Sequence, residues 1–393
     1  MAKRVLITAG PVYGRLDDNK IVSNRSRGLW AVRFADSLLD LGYEVTLLVA
    51  DVAREMMMEA RLSSKYSEKP ARVIEHHGYD DYRRICRELA PQMDAAVMSA
   101  AVVNWIPEEP FPGKMPINID RQLIPFILAP KVIREMKVAN PKLTLIGCKL
   151  LFGGDVDALI EAAYRVVLDA RCNAVVANDA RLGLRRKFVV HQDRTVIEYN
   201  NNFAAFNIHL RKLIEAEYYS TEVYAAGTVA DHFLPADLVR ARQLFNVMVD
   251  RYRLLFLRPT QDSDRVFGAV ATRIGDRYLV SPREKGGLFT AEDAVAVMGF
   301  RPRKVLVVGG KASLNAPLLI KHLEKFPQAA AVVHVHDNAP AGASLCIAAD
   351  FRTVPYAPPG TVADNDRLIP GPCYKIEGHG WIIAVDEKGE PIL

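Results

Sequence analysis

Residues 4–28, RVLITAGPVYGRLDDNKIVSNRSRG, contain the pattern that decides the fold of the first half of the chain. Residues 4–9 form an apolar run typical of a buried strand, and Gly10-Pro11 ends it. A polar loop, residues 23–28, then leads into residues 29–39, whose apolar side chains recur at helical spacing. This arrangement is typical of an anion site, because the free N–H groups and the dipole of a helix N-terminus favour negative charge.

The alternation of strand and helix continues through the first half of the chain. We predict helices over residues 80–90, 155–170 and 203–216, a hairpin over 188–198, and strands over 44–50, 94–103, 143–147 and 174–177. Strands and helices in this order pair in parallel through right-handed crossovers. Residues 1–218 are therefore predicted to form an α/β domain with a doubly wound, Rossmann-like parallel sheet. Residues 107–125 are rich in proline and lack periodicity, which predicts a long functional loop.

The pattern changes near residue 218. We predict a helix over residues 235–254, followed by short strands over 267–272, 277–281, 303–308, 330–336 and 381–385. Turns containing glycine, proline or asparagine separate these strands. Residues 219–393 are therefore predicted to form a second domain with an α/β/α arrangement of layers.

Composition limits the classes of function. Half of the 393 residues are apolar and a quarter are charged, as in soluble globular proteins, and no apolar run approaches a membrane span. The net charge of +5, without a dense stripe of lysine and arginine, fits small anionic substrates better than nucleic acid. The five scattered cysteines and a start unlike a signal peptide favour reduced thiols in the cytoplasm. We expect neither a nucleic-acid partner nor a membrane partner.

Five motifs in order resemble the phosphopantothenate–cysteine ligase (phosphopantothenoylcysteine synthetase) family. The first is the TAGP…LDxxxxxSNxSxG pattern of residues 8–28. The others are SAAV with a later proline (99–107), GKM (113–115), the pair APK and GCKL (129–131 and 147–150), and VAND (176–179). The resemblance covers about residues 4–215.

The resemblance implies a two-step ligation of a small-molecule acid to an amine. The acid's carboxylate would attack the α-phosphate of ATP or CTP, with Mg²⁺ present, and the amine would then displace the nucleotide. By position, Asn24 would hold the acyl intermediate and Lys114 would contact the phosphates as the flap lysine. The nucleotide and substrate would be bound by Gly10, Ser23, Ser26, Gly28, Ala101, Asn178 and Asp179. The family also implies a homodimer or a higher homo-oligomer.

Three positions depart from the family pattern. Asn104 stands where the family has an aspartate, Arg27 replaces a serine in the anion loop, and Leu151 replaces an acidic residue. The identity of the acid and the amine, and the choice between ATP and CTP, therefore stay open.

The second half contains a candidate metal site. His334 and His336 lie at i and i+2 of a predicted strand and so point to the same face. His379, in a Gly-His-Gly turn, would complete a three-histidine site with an open position, which is typical of Zn²⁺.

The order SP (281–282), TAED (290–293), KAS (311–313), VHVH and GHG resembles the class II aldolase/adducin family. In that family the three histidines bind zinc, which polarises a carbonyl group. Asn315 stands where the family has its acid/base residue, so we expect metal binding without aldol cleavage. Three hypotheses stay open: a ligase fused to a metal-binding aldolase-like domain, a zinc-dependent lyase or isomerase of a nucleotide-linked or phosphorylated molecule, and a non-catalytic oligomerisation module.

Overall fold

The computed structural model describes residues 2–51, 72–116, 118, 121–183, 185–256, 266–283, 287–336 and 351–392. The chain divides into two compact units, Met1–Glu215 and Ala216–Leu393. Part of the predicted 107–125 loop and one of the five cysteines, Cys346, lie outside the described residues. In the described ranges the other four cysteines are free thiols, and no helix has the length and apolar character needed to span a bilayer.

The first unit is built on one large sheet. Its strands and the short strands around it are β1 Arg4–Ala9, β2 Pro11–Val12, β3 Gly14–Arg15, β4 Ile21–Val22, β5 Glu44–Ala50, β6 Arg72–His76, β7 Ala95–Met98, β8 Ala101–Val102, β9 Trp105–Pro107, β10 Phe126–Leu128, β11 Thr144–Leu151, β12 Ala174–Asp179, β13 Arg186–His191 and β14 Val196–Asn200. The large sheet has the order β14-β13-β12-β11-β7-β1-β5-β6. The six strands β12, β11, β7, β1, β5 and β6 pair in parallel with their neighbours in the sheet. Strand β13 pairs antiparallel with both β12 and β14. The prediction of a parallel-rich α/β sheet is confirmed.

The strand order fixes where a ligand can enter. The chain runs outward from β1 through β5 to β6, then returns to place β7 on the other side of β1. A crevice therefore opens between β1 and β7 at the carboxyl edge of the sheet, which is where open α/β sheets bind ligands.

Among the described residues of this unit, five helices cover the two faces of the sheet. They are α1 Leu29–Asp40, α2 Tyr79–Leu89, α3 Val132–Ala139, α4 Val156–Ala170 and α5 Phe203–Ile214. Along β1, Leu6 packs with α2, α3 and α4, whereas Val5 and Ile7 pack with α1 and α5. This alternation is the two-residue period of a strand that is buried on both faces.

Two features of the first unit differ from the sequence-based expectation. The strand predicted over residues 94–103 stops at Met98, because the N–H of Ala100 donates to the Thr8 hydroxyl and the chain turns to pair β8 with β2. The predicted long loop is closed at its base, because β9 and β10 pair as an antiparallel ribbon.

The second unit contains a nine-stranded sheet of order β15-β19-β18-β17-β16-β20-β23-β22-β21. Its strands are β15 Ser220–Val223, β16 Ala269–Ile274, β17 Arg277–Val280, β18 Val295–Arg301, β19 Lys304–Val308, β20 Ala331–His336, β21 Arg352–Val354, β22 Cys373–Ile376 and β23 Gly380–Val385. The helices are α6 Pro235–Arg251, α7 Arg253–Phe256, α8 Ala316–Lys325 and α9 Val362–Asn365. Only the β15/β19 and β21/β22 pairs are parallel among the described strands.

A helix covers each face of the second sheet. Apolar residues of α6 pack on one face, with Val333 and Val335 of β20, and those of α8 pack on the other. Strands β15, β18, β21 and β22 and helix α8 were not predicted. The predicted helix over residues 235–254 is divided at Tyr252, the residue that follows the end of α6 at Arg251.

Candidate functional site

Two glycines shape the crevice between β1 and β7. Gly10 and Gly28 both have positive φ, 76° and 66°. A Cβ atom on Gly28 would lie 2.3 Å from the Gly10 nitrogen, so the loop before α1 rests directly on the end of β1. Gly28 caps α1 without a side-chain hydrogen bond, which leaves the N–H groups of the first turn open to an anion.

Asn24 lies over the same crevice. Its side-chain Nδ2 donates to the carbonyl oxygen of Ala101 at 3.2 Å, and the N–H of Ala101 donates to the Gly10 carbonyl at 2.9 Å. The N–H of Ser26 and the hydroxyl of Ser23 both donate to the Asn24 carbonyl, at 3.0 and 3.3 Å. The structure thus brings together six of the predicted residues, with Asn24 and Ser23 exposed to solvent.

Lys114 lies in an exposed turn whose base is pinned by Asp17. The buried carboxylate of Asp17 accepts hydrogen bonds from the N–H groups of Met115, Asn19 and Lys20. The bond from Met115 is the main cause that holds the pKa of Asp17 well below its usual range. The residue after Lys114 is therefore tied to the loop that leads to Asn24.

Asn178 and Asp179 end β12 but have different surroundings. The N–H groups of Gly153, Gly154 and Arg181 donate to the buried Asp179 carboxylate. Burial raises the pKa of Asp179, but these N–H donors outweigh it and the net shift is downward. Asp179 thus organises the turn after β11, whereas Asn178 is half-buried and accepts from the Lys187 ammonium.

In the second unit, the three predicted histidines converge. His334 and His336 lie on β20, and His379 lies in the tight turn between β22 and β23. One nitrogen from each ring lies within 4.8 Å of the other two, and all three residues are buried. The Nδ1–H of His334 donates to the Trp381 carbonyl, which leaves its Nε2 as the lone-pair donor. Gly380 permits this approach, since a Cβ there would lie 2.1 Å from the Val335 carbonyl oxygen.

A buried carboxylate lies close to this histidine cluster, and a buried amide lies beside the Gly360 turn that contacts the carboxylate. The Asp364 carboxylate is fully buried, with Oδ2 3.8 Å from Nδ1 of His379 and 3.0 Å from the Gly360 nitrogen. Burial raises the pKa of Asp364 to about 6 despite the Arg367 guanidinium beside it. Asn315 is buried, and its Oδ1 has no hydrogen-bond partner among the described residues.

The sequence from residue 1 to 204 matches the family model for the DNA/pantothenate metabolism flavoprotein C-terminal domain. The chain belongs to this family. The chain is similar to the coenzyme A biosynthesis bifunctional protein CoaBC of Thermococcus kodakarensis, with 28% identity over 181 residues. The protein of the same name from Methanocaldococcus jannaschii is 26% identical over 179 residues. These matches cover 45% of this chain and 41% and 40% of the relatives, so the chain aligns with about two-fifths of their length.

A solved structure of the DNA/pantothenate metabolism flavoprotein from Streptococcus pneumoniae aligns with 54% of this chain and 99% of its own. The sequence identity is 20% and the TM-score is 0.45.

The sequence analysis did not predict Lys187, which lies beside Asn178, or Asp364, which lies beside His379. Lys187 is buried on β13 and contacts Asn178, and burial lowers the pKa of its ammonium group. A lysine directly before the apolar run of residues 188–190 was the available signal. Asp364 gave a weaker signal, because an acidic residue in a turn rich in proline and glycine is usually exposed.

Proposed function

We propose that the first unit is a nucleotide-dependent ligase that joins a carboxylic acid to an amine through an acyl-nucleotidylate. The observation that carries this proposal is the hydrogen bond from Asn24 to Ala101 above the Gly10–Gly28 contact, at the crevice between β1 and β7. The relatives named for coenzyme A biosynthesis favour phosphopantothenate and cysteine as the acid and the amine.

The reaction has two balanced steps. A carboxylate oxygen of the acid attacks the α-phosphorus of CTP or ATP, an acyl–O–P bond forms, and pyrophosphate leaves. The amine nitrogen then attacks the acyl carbon, the nucleoside monophosphate leaves, and the nitrogen loses a proton. Asn24 would hold the acyl intermediate, and the Lys114 ammonium would stabilise charge on the phosphates. The N–H groups that begin α1 would bind phosphate oxygens.

Mg²⁺ would supply charge neutralisation on the triphosphate. Among the described residues of this region, the buried carboxylates of Asp17 and Asp179 already accept several hydrogen bonds from backbone N–H groups. The donor set therefore fits a metal ion that arrives bound to the nucleotide better than one held in a cage of protein carboxylates.

Pyrophosphate release tests this proposal directly. Purified protein would be given phosphopantothenate, cysteine and either CTP or ATP, and then a panel of other acids and amines. Asn24→Asp should abolish most of the release, because a carboxylate there repels the phosphates. If Asn24→Asp bound triphosphate and turned over substrate as the wild type does, the loop at residues 23–28 would have no role in the reaction.

We further propose that the second unit binds zinc in an aldolase-like site. The donor chemistry fits, since three buried imidazoles converge and the unpartnered Asn315 Oδ1 is an additional polar atom at α8. The histidines would hold the ion, which polarises a substrate carbonyl when bound. An asparagine cannot exchange a proton, so we expect no cleavage of a ketose 1-phosphate.

Metal analysis separates the remaining alternatives for the second unit. Stoichiometric zinc that is lost in His334→Ala/His336→Ala supports a metal-dependent lyase or isomerase. Protein purified without chelator and free of zinc supports the non-catalytic oligomerisation module. Cleavage of a ketose 1-phosphate would show that another residue supplies the base.

We also propose that the chain forms a homodimer, because closed two-fold assemblies are the commonest for such domains. Light scattering at micromolar concentration should give twice the mass of one chain.

A further inference from the structure

A buried carboxylate beside the histidine cluster of the second unit has no role in the functions proposed above. Asp364 in the short helix α9 and His379 are both fully buried, and Oδ2 of Asp364 lies 3.8 Å from Nδ1 of His379. The other ring nitrogen of His379, Nε2, lies 3.1 Å from Nε2 of His334. The carboxylate therefore approaches His379 at the nitrogen that does not face His334.

The Asp364 carboxylate is held in place by the turn before it and by an arginine. Its Oδ2 accepts the N–H of Gly360 at 3.0 Å, and its Oδ1 accepts from the Arg367 guanidinium at 2.5 Å. The hydroxyl of Thr361 caps the N-terminus of α9 by accepting the N–H of Asp364 at 3.2 Å. Arg367 thus engages one carboxylate oxygen, and the other oxygen is the one that lies beside His379.

Packing alone does not explain why Asp364 and Arg367 are charged residues. The side chain of Arg367 is 9% exposed and that of Asp364 is 0% exposed. Removing two charges from water carries a desolvation cost that their attraction often fails to offset, and apolar side chains of similar volume are often as stable or more stable in such a place. A carboxylate beside an imidazole of a candidate metal site is better explained by its effect on that imidazole.

A histidine that binds a metal ion needs a defined tautomer. A neutral imidazole binds the ion through the lone pair of one nitrogen and carries its proton on the other. Metal-binding histidines usually donate that N–H to a carboxylate or a backbone carbonyl, which fixes the ring and raises the basicity of the ligating nitrogen. His334 has such a partner in the Trp381 carbonyl, 2.9 Å from its Nδ1. Asp364 can serve His379 in the same way if the two groups approach by about 1 Å, to the distance of a charge-assisted hydrogen bond.

We propose that Asp364 is a positioning residue of the zinc site: its carboxylate accepts the Nδ1–H of His379 and thereby directs Nε2 of that ring toward the ion. The inference rests on the zinc site proposed above and adds to it a residue outside the three ligands. Asp364 acts through His379, so its removal should weaken zinc binding while the three imidazole ligands remain.

Competition for zinc between the full chain and a chromogenic chelator gives the Kd of each variant. Asp364→Asn should raise the Kd about 10- to 100-fold, because the carboxylate acceptor is lost. That variant leaves Arg367 buried without its carboxylate, so the double variant Asp364→Leu/Arg367→Leu, which removes both charges, is measured as well and should raise the Kd at least as much. Glu377→Gln removes an exposed carboxylate from the same turn as His379 and should leave the Kd unchanged.

The NMR spectrum of the zinc-loaded chain, labelled with ¹⁵N-histidine, is a second measurement that a purely structural role would not affect. The Nδ1–H proton of His379 should resonate downfield in the wild type, as in a charge-assisted hydrogen bond, and should move upfield in Asp364→Asn. An unchanged zinc Kd in both Asp364 variants, an equal rise in Glu377→Gln, or an unchanged Nδ1–H resonance would overturn the positioning role and leave the zinc site standing. A wild type that binds no zinc would overturn both proposals.

Discussion

Lys114 is a single exposed cation in a turn whose neighbour is fixed by Asp17. Replacing it by alanine should lower pyrophosphate release about 10- to 1000-fold, because a phosphate-facing cation acts mainly on charge that develops in the transition state. Circular dichroism should be unchanged, since the side chain is exposed. Lys142→Ala is the matched control and should keep wild-type turnover. Equal turnover in Lys114→Ala would remove the residue from the mechanism.

His76 is a residue whose protonation opposes folding. It is fully buried beside Tyr13 and Tyr82, and burial lowers its pKa to about 4, an effect that the Asp51 charge only partly offsets. The imidazole of His76 therefore becomes protonated near pH 6.5 in the unfolded chain but only near pH 4 in the folded chain. The stability contributed by neutral His76 is complete above pH 6.5 and is lost as the pH falls toward 4.

Between pH 7 and pH 5 this residue should reduce the free energy of unfolding by about 2 kcal/mol. His76→Phe should remove that share of the loss, as measured by urea unfolding at both pH values. Burial also lowers the pKa of His322 to about 4. Because His322 remains in the variant, the free energy of unfolding still falls somewhat between pH 7 and pH 5. An identical loss in wild type and variant would contradict the prediction.

At the scale of elements, the loop between β3 and β4 holds the base of the Lys114 turn. Phe111 donates to the Leu16 carbonyl, Asp18 donates to the Gly113 carbonyl, and Met115 donates to the Asp17 carboxylate. Asp17→Asn should loosen the turn, because an amide cannot accept all of the N–H donors that the carboxylate accepts. Faster trypsin cleavage after Lys114 and lower turnover are the expected results.

Asp18→Asn is the control for that variant. The Asp18 side chain is exposed and pairs only with Arg15 among the described residues, and its backbone bond to Gly113 survives the change. If both variants were cleaved at the same rate, the buried carboxylate would not be the anchor.

The elements that the sequence predicts correctly are those with a strong local period. The strand Arg4–Ala9, the helix Leu29–Asp40 and the strand Glu44–Ala50 have continuous or helical apolar patterns, and each forms within two residues of its predicted bounds. Helix α8 was missed because it begins with Ala316-Pro317, which reads as a turn until tertiary packing buries it. The bond from the Met115 N–H to Asp17 and the approach of Asp364 to His379 join residues from different segments of the chain, so no local pattern contains them.

At the scale of the whole molecule, bound zinc should stabilise one unit selectively. A ligand that binds only the folded state adds RT ln(1 + [L]/Kd) to its stability, about 2.7 kcal/mol at a hundredfold excess over Kd. Hydrogen exchange should slow in peptides covering Ala331–His336 and Gly380–Val385 when zinc is added to chelated protein. Peptides from β1 and β7 serve as the internal reference. His334→Ala/His336→Ala keeps only His379 of the three ligands and should show no slowing. Unchanged exchange in the wild type contradicts zinc binding.

The contact between Gly28 and Gly10 also determines which amino acids position 28 can accept. In a library carrying every amino acid at position 28, selected only for soluble expression, glycine should be the sole survivor, since even alanine would place a methyl group 2.3 Å from a backbone nitrogen. Gly42 has the same sign of φ but nothing within 4 Å of its would-be Cβ, so asparagine should be tolerated there. Sequencing the survivors would therefore show one fixed position and one permissive position within fifteen residues of each other, although the two glycines share the same handedness.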